Sequence, residues 1–202
     1  MAEAIKKIFL LAVSLHLFTS CLTIDARIDL SEDLSGELQY RASISTLAAD
    51  LEKVNQKEPL FTFPLFKSAV DRAVLSAEGV SLVNWSESDD GTRFYADSTV
   101  GFTGLAALSL FSGMNLGSEQ SGNNTVLSVS LFNFGGEEIS PTVINIVNES
   151  FSDDYIQIQI VIPGSIIRVE GATFTGSTVT YRKSVSEILA NPSDVQFTVE
   201  YR

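Results

Sequence analysis

Apolar and polar residues alternate one for one along much of this chain, and that period confines it to folds built on half-buried strands. Ile24, Ala26, Ile28 and Leu30 are interleaved with Asp25, Arg27 and Asp29, and Leu38, Tyr40, Ala42 and Ile44 with Gln39, Arg41 and Ser43. Side chains of a strand point to opposite faces in turn, so each set shares a face. The two runs read as a hairpin with one dry and one wet side, joined by the turn Ser31-Glu-Asp-Leu-Ser-Gly36. The same reading places strands at 80–85 and 92–100 around Asp89-Asp90-Gly91, and at 125–134 and 137–147 around Gly135-Gly136. Further strands are expected at 155–162, ahead of Pro163-Gly164, and at 178–181 and 195–201.

One stretch changes period. Phe66, Ala69, Val70, Ala73, Val74 and Ala77 recur every three to four residues, with Thr62 placed to cap the helix and Gly79 to end it. A second, short helix is expected over 184–190. Hydrophobic residues make up 45% of the chain and charged residues 19%, a composition that can bury a core without cross-links. Residues 21–202 contain no internal repeat, heptad or linker, so they read as one domain. The expected fold class is α+β: a single domain rich in antiparallel β-sheet, packed on one main α-helix.

Net charge is −12; a leader over 1–20 carries +1 through Lys6 and Lys7 against Glu3, leaving −13 for the remainder. This charge argues against nucleic acid as a partner, because binding phosphates needs Lys and Arg to release counterions. It argues against a polybasic grip on anionic lipid headgroups for the same reason. The only Cys is Cys21 and the only His is His16, inside the leader. The domain therefore has no internal disulfide and no imidazole.

The leader has three parts. Lys6 and Lys7 are followed by a mainly apolar run over 8–18, interrupted by Ser14 and His16, and then by Thr19 and Ser20. Eleven residues are too few to span a bilayer core, which takes about 20. They match the core of a signal peptide. The ending Phe18-Thr19-Ser20-Cys21 resembles a bacterial lipoprotein signal, with Phe18 where such signals usually carry Leu. The resemblance implies cleavage before Cys21, diacylglycerol on its sulfur and acylation, palmitate for example, of the new amino group. Two or more acyl chains give stable anchoring. The competing reading is a plain secretory signal cut after Cys21.

The two ends of the domain resemble the LppM-like domain, a family of bacterial lipoproteins. At the front, Cys21 is followed by a strand over 24–30, the acidic turn Asp33-Leu-Ser-Gly36 and a strand over 38–44. Near the end come Pro163-Gly164, Val169-Glu170-Gly171, and strands over 178–181 and 195–201. The resemblance implies an α+β domain with an apolar cavity suited to a lipid-like ligand.

Histidine-based triads and Cys–His dyads are excluded by composition, and a zinc site lacks its usual ligands. No phosphate loop, Gly-x-Gly-x-x-Gly or Gly-x-Ser-x-Gly occurs, and no Ser-x-x-Lys spacing serves Lys53, Lys57, Lys67 or Lys183. Adjacent carboxylates stand at Asp89-Asp90, Glu137-Glu138 and Asp153-Asp154, all at or beside expected turns. Glycoside hydrolysis needs only two such groups, which leaves a carboxylate-dependent hydrolase as an outlying alternative. No catalytic residue, metal site or cofactor is expected. The stretch over 100–116 has no charge and carries Gly101, Gly104 and Gly113. It reads as the lid of an apolar pocket, as a segment dipping into the bilayer surface, or as a buried loop or short helix completing the core.

The expectation is a non-enzymatic lipoprotein, exported and lipid-anchored to a bacterial cell or outer membrane, that binds an apolar or lipid ligand. Phe63, Phe66, Phe102, Leu105, Leu108 and Phe111 are its candidate ligand-binding residues. The alternative is a structural or surface-interaction lipoprotein without a small ligand, acting through its sheet face or loops.

Overall fold

The computed structural model describes residues 22–46, 49, 63–131, 154–190 and 195–202. The leader and Cys21 lie outside these residues, as do Thr62, Asp153, the Gly135-Gly136 turn with its second strand, and Glu137-Glu138.

The strictly alternating stretches over 24–30, 38–44, 155–162 and 195–201 fold as strands whose alternate apolar positions turn inward, whereas Val83, in the less regular stretch over 80–85, is exposed. Strands β1 (Thr23–Leu30) and β2 (Gly36–Ser45) form the expected hairpin, with Ile24, Ala26, Ile28, Leu38, Tyr40, Ala42 and Ile44 buried. Asp33 Oδ1 accepts hydrogen bonds from the backbone N–H and the hydroxyl of Ser35, which closes the acidic turn. Gly36 is required there, since a Cβ would stand 2.0 Å from the carbonyl oxygen of Asp29. Strands β3 (Val80–Asp89) and β4 (Arg93–Phe102) form the second hairpin. At its tip Asp90 Oδ1 accepts from Thr92 N, Thr92 Oγ1 and Arg93 N, while Gly91 takes a φ of 87°.

These hairpins join β7 (Tyr155–Val161), β9 (Thr173–Thr175) and β10 (Thr178–Ser184) in a seven-stranded sheet of order β3-β4-β2-β1-β7-β10-β9. A second sheet of four strands has the order β5-β6-β11-β8, from β5 (Asn115–Ser121), β6 (Asn124–Ser130), β8 (Ile166–Glu170) and β11 (Gln196–Tyr201). Three helices are described: α1 (Lys67–Ser76), α2 (Leu105–Ser112) and the six-residue α3 (Val185–Ala190).

The expected fold class is corrected by this architecture. The domain is mostly β-sheet, in two sheets with three short helices, and it is not packed on one main helix. The helical period over 66–77 does form α1, but Val70 is the one residue within it that is fully buried, and Leu75 is exposed. The inner face of the large sheet is covered by the second sheet and α2 as well. Tyr181 of β10 stacks on Phe197 of β11 with ring centroids 5.6 Å apart, and residues of both sheets belong to one apolar cluster. Nor is the large sheet purely antiparallel, because β1 and β7 run parallel with Ile24 opposite Ile156.

The uncharged stretch over 100–116 completes the core. It finishes β4, forms α2 and opens β5, with Leu105, Leu108, Phe111, Met114 and Leu116 buried. Gly113 ends α2 in the left-handed conformation at φ 71°, and its N–H bonds the carbonyl of Ser109.

Candidate functional site

The six apolar residues expected to bind a ligand all lie in or against the core. Phe63, Phe102, Leu105, Leu108 and Phe111 are buried, and Phe66 packs against them. The rings of Phe63 and Phe111 sit 5.5 and 6.4 Å from that of Tyr40, and Phe66 lies 5.1 Å from Phe94. The Tyr40 hydroxyl donates to the carbonyl of Pro64 at 2.7 Å, and burial raises its pKa well above the ordinary value. The cluster thus combines α2, the segment before α1 and the inner face of the large sheet.

The opposite face of that sheet is built from the polar partners of the same alternation, and it carries a site that runs across strands. In register, Ser86, Asp97, Arg41, Asp25, Gln157 and Arg182 stand side by side on β3, β4, β2, β1, β7 and β10. With strands about 4.8 Å apart, this row is about 24 Å long. Its members hold one another. Arg41 Nε donates to Asp97 Oδ1 at 2.7 Å, Gln157 Nε2 to Asp25 Oδ1 at 3.1 Å, and Arg182 Nη1 to Gln157 Oε1 at 3.1 Å. The Arg182 guanidinium also lies 3.7 Å over the ring of Tyr155. The hydrogen bond and charge of Asp97 raise the Arg41 pKa further above its ordinary value.

A second row runs beside the first: Asn84, Thr99, Gln39, Arg27, Gln159 and Thr180. Between the two rows is a shallow hollow of about 410 Å³, lined by Asp25, Arg27, Gln39, Arg41, Asn84 and Asp97 among others. Its walls alternate carboxylate, guanidinium and amide. These are planar groups that present donors and acceptors in pairs. A comparable hollow of about 420 Å³ lies on the small sheet, lined by Asn115, Ser128, Ser130, Glu170, Gln196 and Thr198 among others.

At the end of the large sheet where β1 begins, a partly buried ion pair ties β1, β2 and β4 to Asp154, the residue before β7. Asp154, which is buried, accepts from Thr23 Oγ1 at 3.0 Å and from Arg93 Nη2 at 3.2 Å, and Arg93 Nη2 also donates to Ser43 Oγ at 2.9 Å. Asp89 and Asp90 are engaged in turn hydrogen bonds, to Gly91 N for Asp89 and to Thr92 and Arg93 for Asp90. The Thr92 hydroxyl and the backbone hold Asp90 far below the usual carboxylate range, so it stays ionised and cannot serve as a general acid near neutrality. Lys67 forms an ion pair with Asp71 one helical turn away. Among the described residues no three His, Cys, Asp or Glu side chains are grouped to hold a metal ion, and no helix is long and apolar enough to cross a membrane.

Sequence reasoning found the wet face of β1 and β2 but not the rows, which depend on the register of strands more than a hundred residues apart. The available signal was the recurrence of Arg, Asp and Gln at the outward positions of β1, β2, β4 and β7.

No family model matches the chain. No curated protein matches it either. Among solved structures it is similar to the NMR structure of the folded domain of Mycobacterium tuberculosis LppM, at 17% identity and a TM-score of 0.48, over 91% of this chain and 90% of that one.

Proposed function

We propose that the chain is a non-catalytic binding module of the cell envelope, tethered by lipid on Cys21, whose outer sheet face takes a neutral, hydroxyl-rich polymer. The observation that carries this reading is the row in which Arg41 bonds Asp97 and Gln157 bridges Asp25 and Arg182, with the hollow beside it. Its paired donors and acceptors suit the vicinal hydroxyls of a glycan. A protein partner is a poorer match, since interface cores favour apolar and aromatic anchors and this face presents polar groups. A polyanion is disfavoured by the net charge of −12. Tethering is supported by the signal-like leader and the lone Cys21 behind it.

A buried apolar ligand is a weaker reading, because Phe63, Leu108 and Phe111 already fill the space they were expected to line. The absence of imidazole outside the leader and the structural engagement of Asp89, Asp90 and Asp154 support a non-enzymatic role.

The test is binding of the full lipidated chain, held in nanodiscs, to soluble fragments of the envelope glycan. An Arg41→Ala/Asp97→Ala double variant should bind at least tenfold more weakly, while a Ser128→Ala variant on the other sheet should bind as the parent does. Equal binding by parent and double variant, or none by either, would defeat the proposal. Native mass spectrometry of the same sample covers the weaker reading: a lipid adduct that disappears on denaturation, beyond the covalent anchor, would restore the apolar ligand.

A further inference from the structure

We infer that β8 is the contact strand of a symmetric dimer, in which it pairs antiparallel with β8 of a second copy about a twofold axis at Val169. Among the described residues, four strands end the two sheets: β3 and β9 in the large one, β5 and β8 in the small one. A strand at the edge of a sheet presents backbone N–H and C=O groups to which another strand can add. Charge separates β8 from the rest. Strand β3 carries only the acids Glu87 and Asp89, β5 only Glu119, and β9 no charge at all. Strand β8, Ile-Ile-Arg-Val-Glu, carries Arg168 and Glu170 two places apart and so on one face.

That spacing makes the strand complementary to itself. In an antiparallel pair centred on Val169, Arg168 stands opposite Glu170 of the second copy and Glu170 opposite its Arg168, so opposite charges meet twice. A parallel pairing in register would set like charges against each other. Arg168 and Glu170 bond one another within the strand and both remain exposed, and the guanidinium keeps N–H groups for a second carboxylate.

The apolar surface points the same way. Five large apolar side chains are exposed among the described residues, and two of them, Ile167 and Phe174, belong to β8 and β9. Ile167 is the extra residue where β8 slips against β11, so it has no opposite number there. Phe174 lies opposite the buried Val179 on the inner face of the large sheet, yet stays half exposed at its edge. Ile166, Val169 and Ala172, in the same stretch, are only partly buried. Only Gly171 and Ala172 separate β8 from β9, so the free edges of both sheets lie on one side of the molecule. A second copy covers this side with the same apolar surface, whereas an unrelated strand satisfies the backbone alone.

Pairing of this kind carries the four strands of the small sheet on into the four of the second copy. Its axis is normal to the sheet and turns the outer faces of the two large sheets the same way. The dimer therefore offers the polar rows of both copies on one side. It requires neither lipid on Cys21 nor any ligand on those rows.

The test is sedimentation equilibrium of the full chain in mild detergent, with micelles in excess. The parent should show a concentration-dependent monomer–dimer equilibrium. Arg168→Glu sets acid against acid at both symmetric pairs, and Glu170→Arg sets base against base, so each alone should weaken dimerisation at least about tenfold. Both positions are exposed, and each variant should melt as the parent does. An equimolar mixture of the two variants should dimerise again, because acid then meets base at both pairs. A parent that is monomeric at every concentration would overturn the inference. Dimers indifferent to either substitution would place the contact elsewhere, and variants that stay monomeric when mixed would refute the antiparallel register.

Discussion

Asp154 is the one buried charged residue among the described residues, and its worth is set by who donates to it. Two side-chain donors converge on its Oδ1 and its carbonyl accepts from Val185 N, so the residue joins β1, β4 and the start of α3. Asp154→Asn keeps the size and removes the charge that Arg93 faces. Hydrogen bonds to charged groups contribute about 1.5–3 kcal/mol, and the partial exposure of Arg93 puts this one at the lower end. The expected result is a loss of about 2 kcal/mol in urea unfolding with an unchanged m-value. Tyr40→Phe should cost about 1 kcal/mol, because the carbonyl of Pro64 then loses its buried donor. Denaturant titration of both variants checks these values, and a Tyr40→Phe variant as stable as the parent would show the bond to be made equally well by water.

At the scale of the element, α3 shows how local chemistry fixes a short helix. Ser184 and Glu187 form a reciprocal capping box: Glu187 N donates to Ser184 Oγ at 3.2 Å, and Ser184 N donates to Glu187 Oε2 at 2.8 Å. The Ser184 backbone bond, then its hydroxyl, lowers the Glu187 pKa from its ordinary 4.5. A carboxyl depressed on folding contributes stability above its unfolded pKa and loses it as pH falls through the folded value. Glu187→Ala should therefore cost about 0.5–1 kcal/mol at pH 7, and the gap between variant and parent should close as pH falls below about 4.5. Thermal melts at pH 7 and pH 3 check the sign.

In α2 the neighbours Leu108 and Leu110 point in opposite directions, the first fully buried and the second 68% exposed. Leu108→Ala should cost about 2–5 kcal/mol, and Leu110→Ala less than about 0.5. Similar losses at both would mean that α2 is covered on its outer side as well.

Elements were legible where one signal dominated. The alternation over β1, β2, β7 and β11 is strict, and the turns Asp89-Asp90-Gly91 and Pro163-Gly164 are unambiguous, so these strands could be placed from sequence alone. Strand β5, Asn-Leu-Gly-Ser-Glu-Gln-Ser, has a single large apolar residue and gives no such signal. Strands β8 and β9 are five and three residues long, too short for a period to declare itself. The apolar spacing of α1 is real, but it does not make the helix the cover of the whole sheet. Ala69, Ala73 and Val74 are only partly buried and bring too little surface for that task.

For the whole molecule, the division into two sheets was not legible, because nothing local tells which strand leaves the first sheet. The chain passes from β8 in the small sheet to β9 at the edge of the large one across Gly171 at φ 78°. The parallel pairing of β1 with β7 joins residues more than a hundred positions apart, and the outer rows inherit their order from it. The candidate site was thus half visible: the polar residues were seen as a wet face, and their alignment was not. The apolar stretch over 100–116 posed the reverse problem, since a buried helix and a mobile lid share a composition and differ only in what lies opposite. Here Tyr40 and Phe63 lie against Phe111 and its surroundings.

In the proposed function, location and access to the outer face depend on one covalent event, the lipidation of Cys21. Intact-mass analysis of the mature chain purified from bacterial membranes tests it directly, with Cys21→Ala as the control. The expected chain begins at Cys21, carries the mass of diacylglycerol with or without an amide-linked acyl group, and stays with the membrane in high salt. Cys21→Ala should lose that mass and the membrane with it. A mature chain that begins after Cys21, or one that begins at it with no added mass, would contradict the account and make the domain a freely secreted one.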